Sequence, residues 1–195
     1  MQPTLYQLAW STPAGQLLAI EPHRHEVVSH AAVLATAYND PHNAPLLGHT
    51  ELLSADDVIE HYESVAAGGG HNFLVFVDGA LVGDADLRKV SGAAAEFAFM
   101  VAAPTAQGKG LGTKIAILVH AFAFGRFRLD RVYASIIPHN AASRRALEKL
   151  GYVADGSPRA RAYADDPGDI ILRLDRLVFE RAHASQIAEI RIATR

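Results

Sequence analysis

The chain of 195 residues contains no cysteine. That absence excludes disulfide staples, thiolate nucleophiles and cysteine-bound zinc, and it suits a reducing compartment. Long apolar runs are missing too, with no stretch approaching the ~18–20 continuous apolar residues of a membrane span. The opening Met1-Gln2-Pro3-Thr4-Leu5 lacks the basic and apolar regions of an export signal. Positive charge is not in surplus: 18 Lys and Arg face 21 Asp and Glu, for a net charge of -3, which argues against nucleic acid as the main partner. No repeat, low-complexity run or linker divides the sequence. A cytoplasmic protein with one domain over residues 1–195 is expected, its core at about 15–175 and an extension at 176–195.

What is present is a strand, a glycine loop and a helix between Glu96 and Thr113. The apolar run Glu96 to Val101 leads through a turn at Ala102–Ala106 into Gln107-Gly108-Lys109-Gly110-Leu111-Gly112 and then a long apolar helix. A glycine loop at a helix start presents free main-chain N–H groups and the positive end of the helix dipole, which together seat an anion such as phosphate. Spacing removes two familiar phosphate loops. Lys109 is followed by Gly110, so the Lys-Ser/Thr pair of a P-loop is missing, and glycines at 108, 110 and 112 do not fit G-x-G-x-x-G.

Around this stretch the chain reads as alternating elements. Leu17 to Ile20 suits a strand stopped by Pro22, and apolar spacing from His25 to Tyr38 suits a helix. Ser54 and Asp57 mark a second helix start, which Gly68-Gly69-Gly70 ends. Asp78-Gly79 between two apolar runs predicts a hairpin, and a third antiparallel strand then leads into the loop. Leu129 to Ile137 reads as a strand and Asn140 to Leu150 as a helix; short strands follow at Tyr152–Ala154 and Ile170–Leu174. Val178 to Arg195 fits either a helix or an added strand.

The loop Gln107-x-x-Gly110-x-Gly112, joined to a second signature of Asn140-x-x-Ser143 followed by Glu148-Lys149-Leu150-Gly151-Tyr152, resembles the GCN5-related N-acetyltransferases. Within them it looks closest to the branch that acetylates ribosomal-protein N-termini. The likeness covers residues 15–175 in element order and is most specific over 96–152. It implies an α/β fold with a central, mostly antiparallel twisted sheet that splits as a V between its fourth and fifth strands, flanked by helices. It also implies acetyl-CoA as co-substrate and transfer of its acetyl group to a primary amine by direct attack in a ternary complex.

The resemblance assigns the cofactor site residue by residue. Main-chain groups of Gly108, Lys109, Gly110, Leu111, Gly112 and Thr113 take the pyrophosphate, with Gln107 at the entrance. Met100, Val101 and Ala102 pair with the pantetheine arm through main chain, and Asn140 bonds it from across the cleft, although asparagine before a helix is also an ordinary N-cap. Arg144 or Arg145 reaches the adenosine phosphate or simply faces solvent.

Glu96 lies at the spacing of the catalytic glutamate in the family's histone-acetylating branch, and alternation points it from an otherwise apolar strand, where desolvation raises its pKa as a base near neutrality requires. A strand-end glutamate facing water is the plainer alternative; Glu21, Asp84, Asp86 and His139 are the reserves. Leu147 stands where many relatives carry an acid tyrosine, and Ser143 takes the acid role by the branch resemblance. That leucine keeps open a second reading, an acyl-CoA-binding sensor without turnover. Ten histidines, among them His23, His25, His30, His42 and His49, lack metal-ligand spacing, so no metal is expected; some should line the acceptor pocket. The acceptor is a small molecule or a protein N-terminus, with neither nucleic acid nor membrane as partner, and a homodimer follows from the resemblance alone.

Overall fold

The computed structural model describes residues 4–13, 15–48 and 50–195, apart from the side chain of Thr105. The first three residues of the chain and His49 lie outside this set. The first half of the chain runs β1 (Tyr6–Thr12), β2 (Gly15–Ile20), α1 (Arg24–Tyr38), α2 (Ala44–Leu47), α3 (Ala55–Ala67), β3 (His71–Val77), β4 (Ala80–Ser91) and β5 (Ala94–Val101). A 3-10 turn (Pro104–Ala106), α4 (Leu111–Ala121), a π turn (Phe122–Arg126), β6 (Arg131–Ile136) and α5 (Ala141–Glu148) follow. The chain closes with β7 (Val153–Ala154), α6 (Pro158–Arg161), β8 (Ile170–Asp175), α7 (Arg176–Ala182), α8 (Ala184–Glu189) and β9 (Arg191–Thr194).

The nine strands form one sheet in the order β7-β8-β6-β5-β4-β3-β2-β1-β9. All described pairings are antiparallel except β5 with β6. The order matches the expected mixed fold, with one addition. Strand β1 was not anticipated, although Tyr6, Leu8 and Trp10 alternate with less buried neighbours in the period of a half-buried strand. The undecided tail turns out to be both of its alternatives: α7 buries Phe179 in the core, and β9 zips onto β1.

Each sheet face carries its own apolar layer. Helix α4 and the π turn after it lie against one face, where Ile115, Leu118 and Phe122 join Phe73, Leu87 and Phe97 in one core. Helices α1 and α3 cover the other, packing Val27, Leu34 and Val58 against Leu74 and Met100.

Strands β5 and β6 pair only from Ala94 to Glu96, against Arg131 to Tyr133. Beyond that point β5 stays on β4 to Val101 and β6 stays on β8 to Ile136, so the two strands diverge while remaining extended. This is the expected split; counting β1 makes it lie between β5 and β6. A bulge adds twist at this place, because Val82 has no counterpart between Val75 and Phe76 on β3. The neighbouring Gly83 has φ +154°, and a Cβ there would sit 1.9 Å from the carbonyl oxygen of Met100, so only glycine lets β5 approach.

Under α4, His120 is buried with Nδ1 2.7 Å from Ala116 O and Nε2 2.6 Å from the Tyr152 hydroxyl. Burial pushes its pKa down to about 3. The folded state therefore refuses a proton that the unfolded chain takes up near pH 6.5. The stability involved is complete above 6.5 and drains as pH falls toward 3, at about 1.4 kcal/mol per unit. We predict that urea unfolding at pH 6 and pH 5 will show about 1 kcal/mol more acid loss in the wild type than in a His120→Leu/Tyr152→Phe double variant. Equal losses would show that His120 does not titrate on unfolding.

Candidate functional site

The glycine loop forms as the sequence suggests, and for a backbone reason. Gly108 and Gly110 take φ of +72° and +79°, the left-handed region that disfavours side chains, while the space beside each is open. Gly110 is the N-cap of α4 and offers no side-chain cap, so helix geometry leaves the amides of Leu111, Gly112 and Thr113 without intrahelical partners. Gly112 is needed for packing instead, since a Cβ there would meet the Phe99 ring at 2.8 Å. A cavity of about 270 Å³ opens against Gly108, Gly110, Gly112 and Thr113, whereas Lys109 and Leu111 are not on its wall.

The side chain of Gln107 is committed elsewhere. Its Nε2 donates to Asn43 Oδ1 (2.8 Å) and to Val101 O (3.0 Å), and its Oε1 lies 3.0 Å from His42 Nε2. Asn43 in turn donates to Ala37 O and Ala102 O. This pair ties the end of β5 to the loop after α1. Asn43 was not singled out in the sequence, where nothing separates it from the other polar residues of its loop.

The free edge of β5 is set by ladder alternation. Ala102 N–H donates to Val82 O on β4 at 2.8 Å, so Ala102, Met100 and Ala98 turn their main chain toward β4. Val101, Phe99 and Phe97 then turn theirs toward the split, and the Val101–Gln107 bond agrees. Of the expected trio, only Val101 presents its main chain to the cleft. Phe99, two residues back, joins it; Met100 contributes side-chain wall instead.

Glu96 takes the desolvated position expected of it rather than the water-facing alternative, but it is heavily paired. It is fully buried, and its carboxylate is gripped by Arg88 through Nε (3.1 Å) and Nη2 (3.0 Å) and by Lys89 Nζ (3.0 Å). Strand alternation alone would put Lys89 on the opposite face from Arg88. A register irregularity after Arg88 and a φ of +49° at Lys89 bring both cations to one side. Asp165 completes the cluster at 2.5 Å from Arg88 and 2.8 Å from Lys89. Burial raises the Glu96 pKa and Arg88 opposes the rise, but neither of the two cavities is lined by Glu96.

Among the reserves, Glu21 is spent on Tyr6 N–H and on His71, and His139 is exposed with Nε2 near Pro45 O. Asp84 and Asp86 lie on the α1/α3 face of β4. They line a second cavity of about 720 Å³ that also takes in His61, Arg88, Ser135 and Asp169. Asp84 accepts from the hydroxyls of Tyr38 (2.7 Å) and Tyr62 (3.2 Å), and burial pushes its pKa up to about 6 against those two donors. His61 Nε2 meets Asp86 Oδ2 at 3.0 Å, and that contact raises the histidine's pKa.

The two cavities share a wall at Phe99, Met100, Asn140, Ser143 and the α2 leucines. Asn140 does two jobs there. Its Oδ1 caps α5 by accepting from Ser143 N–H (3.0 Å), and its Nδ2 donates to Leu46 O (2.8 Å), holding α2 across the cleft. The Ser143 hydroxyl has no hydrogen-bond partner among the described residues. Arg144 is exposed and paired with Glu148 at 2.8 Å, while Arg145 and Lys149 line the cavity below the glycine loop. Helical spacing of four residues, 145 to 149, was the available signal for that pair. Among the histidines, His61 reaches the larger cavity, and the rings of His23 and His25 stack on each other.

Residues 18–153 match the family model described as the acetyltransferase (GNAT) domain. The probable N-acetyltransferase YjcK of Bacillus subtilis is 30% identical over 106 residues, which span 52% of this chain and 59% of that protein. Mycobacterium smegmatis RimJ in complex with CoA-disulfide superposes with a TM-score of 0.71 at 17% identity, covering 96% of each chain. AAC(6')-Ib in complex with parmomycin and acetyl-CoA gives 0.71 at 19% identity, over 85% of this chain and 96% of that one. At such identities the solved neighbours speak for the fold. Among the described residues no helix is long and apolar enough to cross a membrane.

The Glu96 cluster yields a test of its own. Removing the carboxylate takes charge-assisted hydrogen bonds from a half-buried Arg88 and an exposed Lys89, which keep Asp165 and, for Lys89, the carbonyls of Tyr163 and Ala164, so Glu96→Ala should cost about 2 kcal/mol in urea unfolding. A change below about 0.5 kcal/mol would show the cluster to be solvated.

Proposed function

Because the chain belongs to the GNAT acetyltransferase family, we propose that it is an N-acetyltransferase that moves an acetyl group from acetyl-CoA to a primary amine. The observation that carries this reading is the junction of three features. An uncapped glycine-loop helix start, an open strand edge and a second, acidic cavity meet along one cleft. The residues present fit acetyl-CoA. Main-chain amides from Gly108 to Thr113 suit its pyrophosphate, Arg145 and Lys149 add positive charge beside them, and the edge at Phe99 and Val101 suits an amide-bearing arm. When bound, acetyl-CoA supplies the acyl group as a thioester.

This chain's residues would do the rest. The outward N–H of the β5 edge polarises the acyl carbonyl, in the manner of an oxyanion hole. Asn140 holds α2 and α5 at a fixed spacing across the junction. Ser143, which lines both cavities, passes a proton to the departing sulfur. Direct attack with both substrates bound together is the reading that two cavities sharing a wall support. A cytoplasmic site of action, from the composition, and a homodimer, from the family resemblance, remain part of this reading.

Calorimetry with acetyl-CoA tests the reading. Wild type should bind, and Gly110→Glu, which puts a carboxylate and a strained φ at the anion seat, should weaken binding by about 100-fold or more. Absence of binding by the wild type would overturn the proposal, and binding without transfer to any of a broad set of amines would favour a sensor on the same fold.

A further inference from the structure

Resting on the acetyl-transfer reading, we propose that the acceptor's ammonium group is seated between Asp84 and Asp86, that Asp84 takes its proton, and that the acceptor is a small cationic amine with no carboxylate near the amine. Asp84 pairs with Met100 across the β4–β5 ladder, and Met100 belongs to the wall that both cavities share. Asp84 therefore lies beside the open stretch of β5, next to the wall that both cavities share. Asp86 sits two residues along the same face, opposite Ala98.

The second observation is an incomplete hydrogen-bond set. Asp86 is 8% exposed, and its Oδ1 is buried without a hydrogen-bond partner among the described residues. The nearest cation, Arg88 Nε, stands 3.8 Å away and is engaged with Glu96. A buried carboxylate oxygen left open costs free energy that a donor from a ligand would recover. The field in the cavity says which donor. Six aspartates line it against one arginine and one histidine among the described residues, and the arginine is already held by Glu96 and Asp165. Such a lining attracts an ammonium group and repels a carboxylate.

The groups facing Asp84 are Tyr38 from α1, Tyr62 and His61 from α3, and Asp86 and Arg88 from its own strand; Leu74 and Met100, across from it on β3 and β5, bring no charge. Its raised pKa, about 6, suits a base that is ionised at neutral pH yet can hold a proton briefly. In the reaction the ammonium gives one proton to Asp84, and the freed nitrogen lone pair forms the C–N bond to the acyl carbon. The C–S bond breaks, the second N–H proton goes to sulfur, and Asp84 releases its proton to solvent.

The test uses the full chain with 1,4-diaminobutane and 4-aminobutyrate, two amines of similar length that differ in a carboxylate. By calorimetry the diamine should bind at least 10-fold more tightly than the amino acid, and Asp86→Asn should weaken the diamine about 10-fold. A carbon-13 NMR titration should place the Asp84 carboxyl, identified by its loss in Asp84→Asn, near pH 6. With acetyl-CoA, Asp84→Asn should lower kcat by about 100-fold or more and leave acetyl-CoA affinity unchanged. Tyr62→Phe removes a donor that favours the carboxylate, so it should move the acid limb of kcat/KM to higher pH; this holds the idea to account even should Asp84→Asn fail to fold. Acetyl-CoA binding without diamine binding, an Asp84→Asn enzyme with unchanged kcat, or a limb that Tyr62→Phe does not move would each overturn the inference while leaving acetyl transfer standing. A wild type that binds the diamine but no acetyl-CoA would overturn the transferase reading instead.

Discussion

The architecture depends on one broken pairing. After Glu96 and Tyr133, β5 and β6 stop sharing hydrogen bonds, yet both stay extended because each keeps its partner on the other side. An unpaired strand edge inside a protein is costly unless something else satisfies it. Here Gln107, held by Asn43 of the loop after α1, satisfies part of it at Val101 O, and the edge around Phe99 faces the cleft. The helix that starts at Gly110 brings its own unpaired amides to the same opening. Two sets of donors that a closed sheet and a capped helix would have consumed are thus left together.

Electrostatics divides the carboxylates of this region into two groups. Glu96 is shut in by Arg88, Lys89 and the neighbouring Asp165, an arrangement that holds the base of the split where β5 and β6 part. Asp84 and Asp86 lie on the same face of the same sheet but receive hydroxyls and an imidazole rather than committed cations. Burial acts on both groups; only the second is left with open valence toward a cavity. Pairing with cations, rather than depth of burial, separates the two groups, since all three carboxylates are buried and Glu96 is the most buried.

Much of the fold was legible in the chain. Asp78-Gly79, Ser54 with Asp57, and the glycines at 108, 110 and 112 each force a local geometry, and each element formed where those signals stood. The strand at Tyr6–Thr12 was legible as well, since it alternates and is followed by Pro13 and Gly15 at the turn into β2, but it is absent from the sequence reading. Less of the site was legible. The spacing that pointed to Glu96 was sound as spacing, but two adjacent residues, Arg88 and Lys89, fall on one face only because of a local irregularity that no periodicity reports. Asn43, Tyr38 and Tyr62 are ordinary residues in sequence and reach the candidate site by position, and position alone separates Arg145, on the cavity wall, from Arg144, which pairs with Glu148.

What the sequence by itself determined is the backbone chemistry of the anion seat: glycines at the two positive φ positions, and a helix start without a side-chain cap. These are local properties of a few consecutive residues, and local sterics suffice to impose them. Tertiary structure alone decided which strand edge stays open, which carboxylates keep a free oxygen, and which cavity they face. Those outcomes depend on pairings between residues far apart in the chain, such as Tyr38 with Asp84, Gln107 with Asn43 and Lys89 with Asp165, and no local rule specifies them.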